Sequence, residues 1–555
     1  MKFRTLCICR QAALGAALLA LAASPALAQS GGLGTIDFPN SGNEAAQKDF
    51  LDGVRLLHSF EWEDAAEAFQ RAQAADPDFA LAYWGEALSH SGGHHYPPGQ
   101  DMSEARAALL KLGKTRAERV AKASTDREKQ YLESVHILYG PGDVLERSEG
   151  YEQALAKLSA DYPDDLEAAA FHSLALMRTK VRGKESLRVD MRAGAIAQRV
   201  FRANPDHPGA AHYVIHAFDN PVQAPVALYA AEKYADIAPA AVHALHMPSH
   251  IFVQHGMWDH VRNLNDRSYQ ASVDRAERKG LSPARYSYHA LYWLLYAYLE
   301  EGRYEDGQKL LDEFEALTKR DEMTSGMKET WMRMDALNTV ETRNWKPEPV
   351  DDLVAQLDSE EPTVGHRTAG AMLYARGASA AETGDADTAK KAHQGLKKIH
   401  EMLASDENPR GAEQALVMAY EMEGLIAKAE GNADGAVAAF RKAVDVAGSM
   451  EPPSGPPGES PIDSPIQPAH ELLGDMLLAT GDAETALSVF ETSLERTAKR
   501  PHSLHGAARA ATALGDEETA RYYYEQLLST PERGQDLPGL AAAEAMVGET
   551  TMEQN

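Results

Sequence analysis

The sequence predicts an all-α chain, a solenoid of stacked helix pairs, on three observations. Apolar residues recur at helical spacing along most of the chain, Ala is abundant, and runs of β-branched residues are scarce. A small residue, an aromatic, a small residue and a proline follow one another at Ala65, Phe69, Ala72 and Pro77 within FEWEDAAEAFQRAQAADPD. Turn-forming residues fall 34 apart, Pro205 with Pro239 and Gly481 with Gly515. A period of that length marks helix pairs that bury their apolar faces only by stacking on neighbours.

In chain order, residues 1–28 read as an export signal. Lys2, Arg4 and Arg10 precede an apolar run from Ala12 to Ala23, and Ala26-Leu27-Ala28 is a small-x-small cleavage pattern that leaves Gln29 first. The run is too short for a stable membrane span. Cys7 and Cys9 are the only cysteines of the 555 residues, so the cleaved chain has no disulfide and no thiolate metal site. Cleavage takes the formal charge from −28 to −31. That acidic balance excludes a nucleic-acid or anionic-membrane binder, which needs a basic face. The expected location is the bacterial periplasm, with no membrane insertion after cleavage. Residues 29–45 read as a flexible lead-in.

Residues 46–345 form an N-terminal repeat block. Gly53 stands where the first helix of a pair needs close packing, and Pro77 ends the second because it has no N–H for the preceding turn. EGRYEDG (301–307), TGDADTA (383–389), EGNADGA (430–436), TGDAETA (480–486) and LGDEETA (514–520) read as turns between paired helices. WKPEPVDDL (345–353) reads as a linker. Residues 354–534 form a C-terminal block with a Pro/Gly/Ser insert at 451–468, and 535–555 form a cap and tail. The insert KVRGKESLRV (180–189) lengthens one unit. On these glycines, prolines and spacings the chain resembles tetratricopeptide-repeat (TPR) proteins over most of residues 46–534. The resemblance implies a right-handed superhelical solenoid whose first helices line a concave, ligand-binding groove.

Histidine is concentrated in one stretch. Nine of 21 lie between His207 and His289. With Pro208, Val242 and Tyr288 as position 1 of successive units, His212 and His246 fall at position 5 and His216 and His250 at position 9. His243 and His289 fall at position 2, and Asp219 at position 12. Positions 2, 5, 9 and 12 share one helix face. Neighbouring helices pack about 8–10 Å apart, so His212, His216, His246 and His250 are the expected ligands of one shared ion. His243, His289 and Asp219 stand in reserve or behind them. Such a set suits Zn, Cu, Ni or Fe and not Ca or Mg. The alternative is structural histidines stacking on Tyr213, Phe252 or Trp258, and Pro248 perturbs the helix that carries His246.

HYVIH lacks the glutamate of a zinc-protease HExxH motif, and the sequence has no phosphate loop, dinucleotide fingerprint or nucleophile elbow. His90, His94 and His95 in SHSGGHHYPP (89–98) read as a surface loop able to reach over the groove. Glu86 reads as a solvated helix residue, and His502 and His505 as surface or peptide-contact residues. Tyr292 and Tyr296 fall at groove positions 5 and 9. AAHYVIHAFDNP followed by HALHMPSHIFVQHGMWD resembles exported bacterial TPR proteins with the pattern HYxIHA…HMPxHI, which implies the fold and no particular reaction. Two functions stand: an exported solenoid that binds a peptide or protein partner in its groove, or a metal-binding protein, possible metalloenzyme, using the histidine cluster.

Overall fold

The computed structural model describes residues 31–92, 101–180, 186–319, 324–405, 408–459 and 465–553. The expected export signal, and His94 and His95, lie outside these residues. Every regular element among the described residues is helical, and consecutive helices pack on one another along the chain. The fold is an all-α solenoid. No described helix is long and apolar enough to cross a membrane.

The turns follow from local chemistry. Gly302, Gly384, Gly431, Gly481 and Gly515, one in each predicted turn, all have left-handed φ between 67° and 89°, which only glycine adopts at little cost. In four of them the next residue is Asp or Asn and caps the second helix: the side-chain oxygens of Asp385, Asn432, Asp482 and Asp516 accept from backbone N–H groups three residues on. Each such cap is worth about 1 kcal/mol. Pro77, Pro205 and Pro239 each lie two residues past a helix end, at Ala75, Ala203 and Ile237. Gly53 lets the Phe69 ring of the paired helix close in; a Cβ there would sit 2.8 Å from that ring.

One expectation fails. Residues 31–43 are not a flexible lead-in. Leu33 and Phe38 are buried, Thr35 N–H donates to the Asp206 carbonyl at 2.8 Å, and Ser41 N–H donates to Glu128 at 2.7 Å. Phe38 packs against Phe50, Trp84 and Tyr131, and removing such a ring from water outweighs the entropy of fixing a short segment. The 345–353 segment runs without regular structure to Val350, and Val350 and Leu353 lie in the same core as the helices that follow.

The solenoid coils so that distant segments meet. Trp258 Nε1–H donates to the Lys499 carbonyl, and Gly534 N–H donates to the Glu301 carbonyl. Buried Arg500 is held by Glu300, Glu341 and Glu471, which come from three helices on both sides of the 345–353 segment. At the other end, Arg275 pairs with Asp64, 211 residues away. This coiling brings the Pro-rich insert onto the histidine-bearing helices.

Candidate metal centre

Helix Pro208–Ala217 carries His212 and His216. The next unit is broken by Pro248 into the helices Val242–His246 and Ser249–Gln254, so His246 and His250 flank a bend. His289 lies on helix Tyr288–Glu300. The six rings sort into two trios, His212/His216/His243 and His246/His250/His289, with one ligating atom per residue mutually within 4.8 Å in each. The expected single set of His212, His216, His246 and His250 is therefore divided. His243 and His289, expected in reserve, are full members. The rule is regular: positions 5 and 9 of one unit meet position 2 of the next. The coil lays the start of each first helix beside the middle of the preceding one.

In the second trio the proton positions follow from the surroundings. Asn265 Nδ2 donates to Ser249 Oγ at 2.9 Å and to the Val261 carbonyl at 2.7 Å, which turns its Oδ1 toward His246. His246 Nδ1–H therefore donates to that oxygen at 2.7 Å. His250 Nδ1–H donates to Asp219 Oδ2 at 2.8 Å, and His289 Nδ1–H donates to Glu459 Oε1. With all three Nδ1 atoms protonated, the neutral rings turn their Nε2 lone pairs inward. His246 Nε2 lies 3.1 Å from His250 Nε2 and 2.9 Å from His289 Nε2. Three lone pairs so close repel unless a cation sits among them. Metal–nitrogen bonds of about 2.1 Å give nitrogen separations of about 3.0 Å in octahedral and about 3.4 Å in tetrahedral coordination. Both close contacts run through His246 Nε2, and one proton can bridge only one of them.

The electrostatics act in opposite directions on His246 and His289. Burial first, then the charges of His289 and His250, hold His246 well below the ordinary histidine value. Burial pulls His289 the same way, but the charge and hydrogen bond of Glu459 outweigh it and raise its pKa. Trp293 packs on the His246 and His250 rings at 5.0 and 4.6 Å between centroids. Carboxylate or carbonyl acceptors behind each imidazole are the usual backing of metal-binding histidines, since they fix the tautomer and raise ligand basicity.

In the first trio His212 Nδ1–H donates to the His58 carbonyl at 2.7 Å, and His212 Nε2 lies 3.2 Å from His243 Nε2. Burial drives His212 down to about 3 and His243 well below its ordinary value. Phe60, in the left-handed region at φ 55°, stacks on His216 and His243 at 5.5 and 5.4 Å. A bulky residue there stores about 1–3 kcal/mol of strain, and what it secures is the packing of these two rings.

A third cluster, His58/Glu167/His207, also has metal-like spacing but a different logic. His207 Nδ1 accepts from Ala210 N–H at 3.1 Å, so its Nε2–H faces Glu167 Oε1 at 3.1 Å. His58 Nε2–H donates to Glu167 Oε2 at 2.7 Å, and its Nδ1 accepts from the Tyr213 hydroxyl at 2.9 Å. The ring nitrogens face carboxylate, hydroxyl and backbone groups rather than one another, so this is a polar core network.

Asp219, expected as a reserve oxygen ligand, backs His250. Tyr292 and Tyr296 do not line an open groove. Both are buried; the Tyr292 hydroxyl donates to the Pro457 carbonyl at 2.8 Å, and Tyr296 packs edge-on against Trp258. The segment over the second trio is 451–459, with Gln254 reaching Pro453 and His289 reaching Glu459. Glu86 is buried and bonded to Gln70, Gln73 and Lys111, because packing of neighbouring helices closes over it. His502 is no surface residue: it faces the Glu341 carbonyl, and the Gly539 backbone closes over His505. A separate groove of about 340 Å³ opens in the C-terminal block between Arg343, Trp345, Lys428, Phe440 and Arg509, where Asp475 and Glu382 pair its cations. Sequence reasoning missed Asn265, Glu459 and Phe60. Asn265 sits on the second helix of the same unit, and Glu459 is 170 residues from its partner. No local pattern marks either.

A scan against protein-family models finds no match, and neither does a search of curated proteins. Solved structures similar to this chain include a tetratricopeptide repeat protein from Parabacteroides merdae, 14% identical with a TM-score of 0.31, covering 56% of this chain and 98% of that one. Human IFIT1, solved as a dimer with m7Gppp-AAAA, is 13% identical with a TM-score of 0.33, covering 89% and 91%. The TPR domain of P58(IPK) is 14% identical with a TM-score of 0.20, covering 91% and 99%. The description of the fold rests on the helix pairing of the chain itself.

Proposed function

We propose that this protein is a transition-metal-binding helical-repeat protein whose ion is held by the Nε2 atoms of His246, His250 and His289. The observation that carries this reading is the commitment of all three Nδ1 atoms to oxygen acceptors, which leaves three lone pairs converging on one point. Three neutral imidazoles suit Zn, Cu, Ni or Fe(II). They leave the charge of a divalent ion undiminished and a coordination position open. A tri-imidazole zinc ion lowers the pKa of bound water to about 7, so the donor set supports metal-assisted hydrolysis, and with a redox-active ion, oxidation. The expected export of the chain sets this chemistry in the periplasm, where metal reaches the folded protein. An open peptide groove at this face is the weaker reading, because the chain's own 451–459 segment lies across it.

The test is metal content of the purified full chain by elemental mass spectrometry, beside a His246→Gln/His250→Gln variant of matched helical content. Near-stoichiometric Zn, Cu, Ni or Fe in the parent, lost from the second trio in the variant, supports the reading. A parent that stays empty after reconstitution with each ion overturns it.

A further inference from the structure

The repeat that builds the second trio builds the same arrangement one unit earlier. Position 5 supplies His212 where the next unit supplies His246, position 9 supplies His216 where it supplies His250, and position 2 of the following unit supplies His243 where it supplies His289. The construction stops on both sides. One unit later, positions 5 and 9 are Tyr292 and Tyr296. One unit earlier, position 2 is Gly209, whose missing side chain is filled by His58, 2.2 Å from where its Cβ would stand. Among the described residues two consecutive units are therefore equipped, and they abut: the centroids of His243 and His246 are 6.2 Å apart.

From this repetition we infer that His212, His216 and His243 hold a second late-transition-metal ion beside the first, so that the protein carries a two-ion centre. The inference rests on the reading of the second trio as a metal site. Its own observations are separate. His212 presents Nε2 as a lone pair because its Nδ1–H is spent on the His58 carbonyl. That lone pair faces His243 Nε2 at 3.2 Å, and His216 brings a third ring nitrogen within 4.8 Å of both. The approach of His243 is fixed from two sides, by Phe60 stacked on its ring and by its backbone N–H, which donates to Glu61 Oε1 at 2.9 Å. Asp219 and Glu459 supply negative charge around a centre whose six ligands are all imidazoles. The bland competitor is a hydrogen bond, with one proton on His243 Nε2 donated to His212 and no ion.

The experiment titrates metal-free full chain with Zn²⁺ and Cu²⁺, counts tightly bound ions, and locates them by anomalous diffraction from the zinc-loaded parent. Expected are two ions per chain, two anomalous peaks, and one ion remaining in either His212→Gln/His243→Gln or His246→Gln/His250→Gln. Loaded with Cu²⁺, the parent shows dipolar broadening in its electron paramagnetic resonance spectrum that either variant abolishes. One ion in the parent, lost in the second variant and unaffected in the first, overturns the second site and leaves the first standing. No ion in the parent overturns both. The diffraction arm needs no variant to fold.

Discussion

Two histidine clusters of this chain share metal-like spacing and differ in the partner each ring nitrogen faces and in burial, the first closed off and the second partly open at His250 and His289. In His58/Glu167/His207, donors face acceptors around one carboxylate. In His246/His250/His289, the outer nitrogens donate to Asn265, Asp219 and Glu459 and the inner ones face each other. Proximity of imidazoles therefore does not identify a metal site; the direction of their protons does. The first cluster turns its donors on a carboxylate, and the second, on the reading proposed above, turns its lone pairs on a cation.

The largest contrast is in stability. Removing Glu167 by Glu167→Ala strands two buried N–H donors and costs about 3–5 kcal/mol, measured by denaturant unfolding, with no change in bound metal at the second trio. The His246→Gln/His250→Gln variant reverses this pattern, with metal lost and metal-free stability nearly kept. Next, zinc at a hundredfold excess over its dissociation constant raises the unfolding free energy of the parent by ~2.7 kcal/mol. The Glu167→Ala chain gains the same increment if it folds, and the double variant loses the share due to the second trio. Smaller again are the backing residues. Asp219→Asn or Glu459→Gln leaves the ligands in place and weakens metal affinity roughly 10–100-fold, read by competition with a chromophoric chelator; an unchanged affinity would separate these carboxylates from the site.

The smallest effect is the slope with pH in excess chelator. Burial pushes the Glu167 carboxyl up, but the charges of His207 and His58, with their hydrogen bonds, outweigh it and hold it at about 2, below its ordinary 4.5. Its stabilisation is therefore complete above pH 4.5 and lost as pH falls from there toward 2. Burial lowers His58 from its ordinary 6.5 despite the attraction of Glu167, so a further loss begins below pH 6.5. Each group contributes up to ~1.4 kcal/mol per pH unit in its window. Thermal unfolding of Glu167→Ala should show a flatter acid limb than the parent.

Much of this was legible in the sequence. The turn glycines appear at left-handed φ, the prolines at helix ends, and the unit register that phased His212 with His246 also phased His243 with His289. The division into trios was within reach of that register, since position 2 of a following unit belongs beside positions 5 and 9. What stayed hidden depends on how far the solenoid coils. Glu459 and Pro457 reach the site only because the C-terminal block folds back on the helix Tyr288–Glu300, and Arg500 among three glutamates marks that closure. Leu33, Ile36 and Phe38 read as part of a flexible lead-in because three apolar side chains among glycines and polar residues carry no periodicity.

The most direct test of the claim that the second trio needs a cation is X-ray absorption at the metal edge of the full chain reconstituted with zinc or copper. The account predicts a nitrogen shell at about 2.0 Å with imidazole multiple scattering, reduced in His246→Gln/His250→Gln and preserved in Glu167→Ala. An oxygen-only shell, or a spectrum untouched by the His246/His250 substitutions, would contradict it.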